Sequence, residues 1–406
     1  MKNFLANVCS YISFMIRLDC FLAFSMVFDF LILAYSVINY KDVLTSDNIM
    51  VLVFAIMINF CWQLYNLIHH FHFLQKVKPA EKELSNLYIS TQNRIDYSKI
   101  KIKGLNDYRR DDKLGILESE SINLLLRDKE KHIKTIMMKA KEEKTRKYIL
   151  HYKENLLVFL NHKWHKINDM YGVFTNDEKL CLASEFDFQS MTWGICKGYY
   201  YNGYLTNTIY NNFIGGTNYL TFPPFNSLNT PIQKLHESCF SDHIGISTLV
   251  VTSDNHTIIF QQSYNAGQSR GKVMPSGSGS MDYADYMPDM DFRNIIIKAA
   301  EREFIEEANI KKLETKMNIT VTLNTEVISF YRDMERGGKP EFCCVTYINQ
   351  NSIMMNNIEP NRNELAEDVV YFPKLLNNDN EWRNEILPQA SLSLKMAYRA
   401  TMAYLQ

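Results

Sequence analysis

The residues best suited to chemistry lie in one short acidic stretch, residues 302–310. On a helix, Glu303, Glu306 and Glu307 occupy positions i, i+3 and i+4, so their carboxylates share one face. Like charges this close are unfavourable unless something positive lies among them. A hard divalent cation with oxygen ligands is one candidate. A solvated acidic face in which Arg302 pairs with Glu306 is the other.

The sequence around this stretch has the pattern of a compact α/β unit, from residue 243 to residue 406. The carboxylates are expected on a helix that begins near Phe292. A second, amphipathic helix is expected at residues 391–404. Four strands are predicted, at residues 244–251, 257–262, 319–330 and 341–348.

A run of small residues separates the first two strands from the acidic helix. Residues 276–280 read Ser-Gly-Ser-Gly-Ser and are expected to form a loop. Such a loop presents backbone N–H groups to a phosphate, and a flexible turn is the alternative. The candidate phosphate-binding residues are Ser276, Gly277, Ser278, Gly279 and Arg302. A second group of cations falls in the loop expected between the last two strands, where it meets either a phosphate or solvent: Arg332, Arg336 and Lys339.

The order of strand, small-residue loop and acidic helix resembles the Nudix family, whose box reads G-x5-E-x7-R-E-U-x-E-E-x-G-U with U a bulky apolar residue. The matching residues are Arg302, Glu303, Phe304, Glu306, Glu307 and Ile310. The resemblance implies a sheet-and-helix sandwich. It implies that Glu303, Glu306 and Glu307 bind Mg²⁺ or Mn²⁺ beside a nucleoside diphosphate-linked substrate. In that reading Glu303 and Glu307 are the catalytic residues, and Arg302 orients them.

The box is incomplete in this chain. Counted back from Arg302, its first glutamate falls on Asn294 and its first glycine on Pro288. Its last glycine falls on Asn309, a milder change because asparagine tolerates the left-handed conformation that ends a helix. The acidic stretch before the helix offers several substitute ligands, between which the sequence does not choose: Asp282, Asp285, Asp289 and Asp291.

The N-terminal part of the chain predicts two membrane-spanning helices. Residues 21–38 are apolar apart from Asp29, and residues 49–68 carry no charge. At about 1.5 Å per residue, each run covers roughly 27–30 Å, one hydrocarbon core. Cations such as Lys2 and Lys76 flank the pair, so both termini are expected on the cytoplasmic side. A buried helical hairpin in a soluble domain is the alternative.

Polar residues inside the predicted spans need a partner. Asp29 lies near the middle of the first span, and Asn59 and Gln63 share a face of the second. A carboxylate at this depth faces a partner helix or a water-filled path, or is protonated. Self-association into an oligomer or pore and a simple membrane anchor are both open.

Composition divides the chain into four parts. Residues 1–78 hold the transmembrane hairpin, and residues 79–155 form a basic linker with one long helix at residues 121–152. Residues 156–242 form an aromatic-rich region that precedes or extends the Nudix-like unit at residues 243–406. The expected fold class is a membrane α-helical hairpin plus a cytosolic α/β Nudix-like sandwich with a helical linker. The basic helix faces either anionic lipid or solvent, and the tyrosines of the aromatic-rich region pack in a core or stack on a nucleobase.

Charge and cysteine usage exclude some classes of protein. The net charge of −1 gives no case for binding a DNA or RNA duplex. The eight cysteines include no C-x-x-C pair and no zinc spacing, so they are expected to be reduced thiols. Cys343 and Cys344 are neighbours in a predicted strand and are expected to point to opposite faces of the sheet.

The whole chain also resembles two-transmembrane Nudix effectors of bacterial cyclic-oligonucleotide (CBASS) antiphage systems, because a two-span hairpin, a linker and a Nudix-like unit occur in one chain. The resemblance implies a homo-oligomer at the inner membrane that binds a nucleotide, with a cyclic oligonucleotide among the candidates, and acts on membrane lipid. A membrane-anchored Mg²⁺-dependent hydrolase, in which a box glutamate is the base for a metal-activated water, is one alternative. A membrane scaffold that binds a protein partner is another.

Overall fold

The computed structural model describes residues 2–18, 57, 96–152, 156, 176–210, 231–262, 269, 271–361, 366–371, 373 and 379–406. Within these ranges, no helix is both long and apolar enough to cross a membrane. The spans predicted at residues 21–38 and 49–68 lie outside the described residues, apart from Met57. Asp29 and Asn59 lie outside them too, so the transmembrane hairpin stays a prediction.

The described elements are those of a mixed α/β protein. The helices are α1 (Lys2–Leu18), α2 (Glu120–Arg127), α3 (Lys139–His151), α4 (Tyr200–Gly203), α5 (Phe292–Glu307), α6 (Ile310–Met317), α7 (Ser352–Met355), α8 (Asp379–Glu381) and α9 (Leu392–Leu405). The strands are β1 (Ile102–Lys103), β2 (Arg109–Asp111), β3 (Ile116–Glu118), β4 (Lys134–Met137), β5 (Glu178–Leu182), β6 (Thr192–Tyr199), β7 (Ile232–Gln233), β8 (Gly245–Val251), β9 (Thr257–Gln262), β10 (Val273–Met274), β11 (Gly277–Ser280), β12 (Leu323–Asp333), β13 (Lys339–Ile348) and β14 (Ala366–Tyr371). Short 3₁₀ or π turns lie at Tyr97–Lys99, Tyr204–Thr208, Tyr283–Asp285 and Trp382–Ile386.

A nine-stranded sheet organises the fold, in the order β10-β9-β8-β13-β12-β3-β2, with β11 also paired to β8 and β14 to β9. Strands β8 and β13 run parallel with Gly245 opposite Glu341, and β12 and β13 form an antiparallel hairpin. Strands β2 and β3 come from the region that the sequence assigns to the linker. The sheet therefore takes strands from outside residues 243–406.

A smaller sheet of strands β4, β6 and β5 lies beside the main one. Leu180 of β5 connects the two sheets through the backbone. Its N–H donates to the carbonyl of Met281 at 3.0 Å, and its carbonyl accepts from the N–H of Ile244 at 3.0 Å. These bonds place β5 against the end of β11 and the start of β8. The aromatic-rich region thereby contributes strands beside the acidic helix.

Two helices cover opposite faces of the main sheet. Cys344 packs in one core cluster with Ile296 of α5, whereas its neighbour Cys343 packs in another with Leu394 of α9. Successive residues of a strand point to opposite faces, so α5 and α9 lie on different sides of the sheet. The prediction for the two cysteines is confirmed, and the layers form a mixed α/β sandwich.

The single long helix predicted at residues 121–152 is wrong. Helices α2 and α3 are separated by β4, which pairs in parallel with β6. The interruption is tertiary: the guanidinium of Arg293 donates to the carbonyls of Asp128 and Lys131. Asp291 accepts the N–H of Ile133 at 3.1 Å. Backbone groups that a continuous helix would use internally are bound instead by Asp291 and Arg293, at the start of α5.

The basic helix α3 packs on the domain through part of its charge. The ammonium of Lys141 lies 2.7 Å from Asp242 Oδ2 and donates to the carbonyls of Leu235 and Ser238. Lys144 donates to the carbonyl of Glu237. Both lysines are therefore bound within the protein, and neither the lipid-facing nor the solvated interpretation holds for them.

Candidate functional site: the carboxylate face of helix α5

Local interactions define both ends of the acidic helix. At its start, Asp291 Oδ1 accepts the N–H of Arg293 at 2.9 Å, which caps the first turn. After its last residues, Asn309 takes φ 51° and ψ 43°, the left-handed conformation. The predicted start near Phe292 and the predicted role of Asn309 are both confirmed. The helix thereby presents Glu303, Glu306 and Glu307 within one turn, as their spacing predicts.

Arg302 lies among carboxylates and supplies the positive charge that compensates them. Its Nε and Nη2 lie 3.1 and 3.0 Å from the two carboxylate oxygens of Asp285, a forked contact. Nη2 also lies 3.1 Å from Glu303 Oε1 and 3.5 Å from Asp282 Oδ2. Nη1 lies 3.0 Å from Glu306 Oε2. These contacts raise the pKa of Arg302, although burial opposes its charge.

The turn before the helix supplies two of these carboxylates. Asp285 Oδ2 accepts the N–H of Asp282 at 3.0 Å, which closes the Tyr283–Asp285 turn. The Asp285 side chain is only 3% exposed. Lys179 of β5 forms an ion pair with Asp282. Of the candidate substitutes, the structure brings Asp282 and Asp285 to the box arginine.

The remaining acidic candidates lie elsewhere. Asp291 caps helix α5 and pairs with Arg293 at 2.9 Å. Asp289 stands in a left-handed conformation with φ 64°. Asn294, which replaces the first box glutamate, is exposed. Lys179 was not anticipated, because it is 103 residues from Asp282 in the sequence and carries no local signal.

Glu303 is one of two box carboxylates that are largely enclosed. Its side chain is 12% exposed and lies over Gly279, where an added Cβ would come within 2.4 Å of the carboxylate. Burial raises its pKa from 4.5 to about 7, although Arg302 and Lys179 oppose the shift. Near neutral pH this carboxyl is therefore close to half ionised.

The other two box glutamates have different surroundings. Glu307 is 9% exposed, and its Oε2 accepts the N–H of Ser278 at 3.3 Å. Glu306 has a side chain that is 44% exposed and reaches back to Arg302, one turn earlier. The predicted ion pair between Arg302 and Glu306 is thus present. Glu303 and Glu307, in contrast, are turned toward β11.

The loop predicted at residues 276–280 is wrong, because Gly277–Ser280 form strand β11, paired with β8. The Ser276 hydroxyl is buried, donates to the carbonyl of Ile258 at 2.5 Å and accepts the N–H of Val250 at 2.7 Å. At Gly277, an added Cβ would lie 2.7 Å from the backbone nitrogen of Phe304. The small residues here allow close packing of α5 on the strand. Phosphate binding by Ser276, Gly277, Ser278, Gly279 and Arg302 stays a prediction.

The residues of the face do not fit a divalent ion in this arrangement. Across the described ranges, no group of three or more His, Cys, Asp or Glu side chains is positioned to hold a metal. Oxygens that a metal would need are bound to Arg302, at Asp285, Glu303 and Glu306. Mg²⁺ requires near-octahedral oxygen ligands at about 2.0–2.1 Å, whereas Arg302 already takes up both oxygens of Asp285 and one oxygen each of Glu303 and Glu306. The described residues form no metal-binding group in this arrangement, so binding of Mg²⁺ or Mn²⁺ by Glu303, Glu306 and Glu307 stays a prediction.

The aromatic-rich region separates into core and surface residues. Tyr201 and Tyr210 are fully buried, so they pack in the core and do not stack on a base. Tyr199 is half-buried, and Arg17 of α1 lies 4.4 Å from its ring centroid. Lys197 lies 5.1 Å from the ring centroid of Tyr283, in the turn that contacts Arg302. Cations and rings therefore lie next to the carboxylate face.

Two cations of the β12–β13 hairpin, Arg332 and Lys339, are buried and the third, Arg336, is partly buried, contrary to the prediction of an exposed loop. Arg332 is fully buried and lies 3.1 Å from Glu185 Oε1. Lys339 is 6% exposed and lies 2.5 Å from Glu341 Oε1. Arg336 pairs with the same glutamate. Carboxylates of the fold compensate the charges of these three cations. At an exposed hairpin tip, the cations would have met phosphate or solvent instead.

The site and sheet together define a mixed α/β unit. No family model matches the chain, and no curated protein matches it. One similar solved structure is DR0079 from Deinococcus radiodurans, with 13% identity, a TM-score of 0.26, and coverage of 39% of this chain and 82% of that one. Another is a bifunctional NMN adenylyltransferase/ADP ribose pyrophosphatase from Francisella tularensis, in complex with AMP and a manganese ion. It has 16% identity, a TM-score of 0.25, and coverage of 40% of each chain.

Proposed function

We propose that this chain is a Nudix-like nucleotide-binding protein that holds its ligand without hydrolysing it. The observation that carries the proposal is the contact of one guanidinium, Arg302, with Asp282, Asp285, Glu303 and Glu306. Metal-dependent hydrolysis needs carboxylates that are free to hold the ion and its activated water. In this chain, the guanidinium of Arg302 compensates the charge of these carboxylates instead.

The surface beside this face supports nucleotide binding. Tyrosine rings offer a stacking platform for a base, and cations pair with phosphate. Tyr283 and Tyr199 are half-buried, with Lys197 and Arg17 above their rings. Because Tyr283 belongs to the turn that holds Arg302, a nucleotide bound there lies against the carboxylate face.

The membrane part of the proposal rests on sequence, with one supporting contact. Helix α1 ends immediately before the first predicted span. Its Phe14 is 3% exposed, with a ring centroid 5.1 Å from that of Tyr201. If the span inserts, this contact keeps the nucleotide-binding unit at the membrane surface. A cyclic-oligonucleotide ligand, homo-oligomerisation, the bacterial inner membrane and an antiphage role belong to the same proposal.

The test uses the purified full chain in detergent with two panels, nucleoside diphosphate-linked compounds and cyclic oligonucleotides. Equilibrium dialysis measures binding, and product analysis with Mg²⁺ or Mn²⁺ measures turnover. We expect saturable binding of at least one nucleotide and no turnover. Tyr283→Ala should weaken that binding, whereas Phe188→Ala, which removes an exposed ring elsewhere, should not.

A metal-dependent hydrolase is the second candidate, favoured by one observation. Glu303 and Glu307 lie together against β11, and the pKa of Glu303, about 7, suits a general base. Turnover that Glu307→Gln abolishes, and that Glu301→Gln on the same helix preserves, would replace the proposed function with this one. Absence of both binding and turnover would leave the membrane scaffold as the remaining candidate function.

A further inference from the structure

We propose that Arg302 is a built-in counter-cation, fixed where a divalent ion would otherwise compensate the carboxylate face, so that the face works without metal. The inference rests on the proposed function and deepens it, since it concerns how the same face recognises a ligand. It follows from the position of one side chain between two elements, the turn at Tyr283–Asp285 and helix α5.

The guanidinium is suited to this task by its shape. Its planar fork carries five N–H donors, and it stays charged at all relevant pH values. All three of its nitrogens are used: Nε and Nη2 contact Asp285, and Nη1 contacts Glu306. Nη2 lies 3.1 Å from Glu303 as well. A lysine ammonium cannot span these directions at once, because it is a single point charge.

The arginine is also held in place. Asp285 is 3% exposed, binds the guanidinium with both oxygens and accepts the backbone N–H of Asp282. Asp285 is therefore a positioning residue for Arg302, since its own orientation is set by the turn. Lys179 pairs with Asp282 from the other side, so two cations serve the four carboxylates around Arg302.

Removing the guanidinium converts the face into a metal site. Carboxylate oxygens from the turn and from α5, now bound to Arg302, would be left close together and uncompensated. Mn²⁺ accepts carboxylate oxygen ligands, and attraction between opposite charges at such distances is strong in a partly buried site. The uncharged, flexible side chain of methionine fills part of the space that arginine leaves.

The experiment titrates the full chain with Mn²⁺ alone at about pH 7.5, where the Glu303 carboxyl is largely ionised, and follows free Mn²⁺ by electron paramagnetic resonance. We expect the same titration for the wild-type chain and for Glu303→Gln. Arg302→Met should gain a site with affinity raised about tenfold or more. That site should disappear in the double variant Arg302→Met/Glu303→Gln. Lys298→Met, the loss of one exposed cation from the same helix, is the matched control and should gain nothing.

Two results would overturn the inference. One is a wild-type Mn²⁺ site that Glu303→Gln removes, a measurement that requires no change at Arg302. The other is a folded Arg302→Met chain with no gain in affinity. If Arg302→Met does not fold, Arg302→Lys keeps the charge but not the fork and should show a smaller gain, and no gain there would also count against it.

Failure of this inference can be distinguished from failure of the proposed function. A wild-type chain that binds Mn²⁺ at this face but binds nucleotide without turnover refutes the inference alone. A chain with no such Mn²⁺ site that nevertheless hydrolyses nucleotides refutes the proposed function and leaves the role of Arg302 standing.

Discussion

Replacing Glu303 by glutamine should make the free energy of unfolding less sensitive to pH. Glutamine matches the shape of a protonated glutamate and cannot ionise. Burial moves the pKa of Glu303 from 4.5 to about 7. At about 1.4 kcal/mol per unit, the shift corresponds to a cost of about 3 kcal/mol for the ionised form in the folded state. Solvent screening removes little of this, because the side chain is only 12% exposed.

The sign follows from proton binding. Between pH 4.5 and about 7, folded Glu303 keeps a proton that the unfolded chain has released. The stabilising contribution is therefore fully present below the unfolded pKa and is lost as pH rises through the folded pKa. Wild type and Glu303→Gln should differ least near the lower end of this range. Above it, the glutamine variant should be favoured by up to about 3 kcal/mol.

Urea titration of the full chain in detergent provides the assay, at about pH 5 and about pH 8. Trp193 and Trp382 are fully buried, so their fluorescence reports loss of the core. The quantity of interest is the change with pH in the difference between the two free energies of unfolding. Glu306→Gln, the same change at a 44% exposed side chain on the same helix, is the control. A Glu303→Gln difference that is flat with pH, or that matches the control, would show that the carboxyl is not enclosed as described.

Other substitutions test the packing of α5 on β11, which positions this carboxylate, and the buried ion pair that holds helix α3. Gly277→Ala places a Cβ 2.7 Å from the backbone nitrogen of Phe304 and should cost about 1–3 kcal/mol by forcing α5 from β11. Gly279→Ala meets only the end of a flexible side chain, so urea midpoints should show the smaller loss there; equal losses would contradict the packing argument. Lys141→Ala leaves buried Asp242, 0% exposed, without its cation and should cost about 3–5 kcal/mol, measured in the same assay. A loss below about 1 kcal/mol would mean that the pair is solvated.

Local patterns were sufficient to predict the helix and most strands of the C-terminal part. The spacing of Glu303, Glu306 and Glu307 depends only on helical geometry, and the left-handed end at Asn309 depends only on a residue preference. Strands β8, β9, β12 and β13 are long enough to show a run of apolar or β-branched residues. Each of these features is determined within a few residues of the sequence.

The parts that were predicted wrongly depend on distant contacts. Strands β2 and β3 have three residues each, too short for any periodic pattern, and exist because β12 pairs with β3. The helix predicted at residues 121–152 is interrupted by Arg293 from α5. Lys179 reaches Asp282 across 103 residues. A charge pattern within one segment does not show which distant element will compensate it.

The run at residues 276–280 connects these observations. Its glycines face α5, so the strand and helix approach until an added Cβ at Gly277 would lie 2.7 Å from the Phe304 backbone nitrogen. The chain leaves β11 directly into the turn that holds Asp285, and the same close approach puts that carboxylate against Arg302. Small residues that suggest phosphate binding in the sequence thus determine where the cation of the face is held. Asp285 therefore joins the carboxylate face from a neighbouring element, and its contact with Arg302 depends on the close approach of β11 and α5.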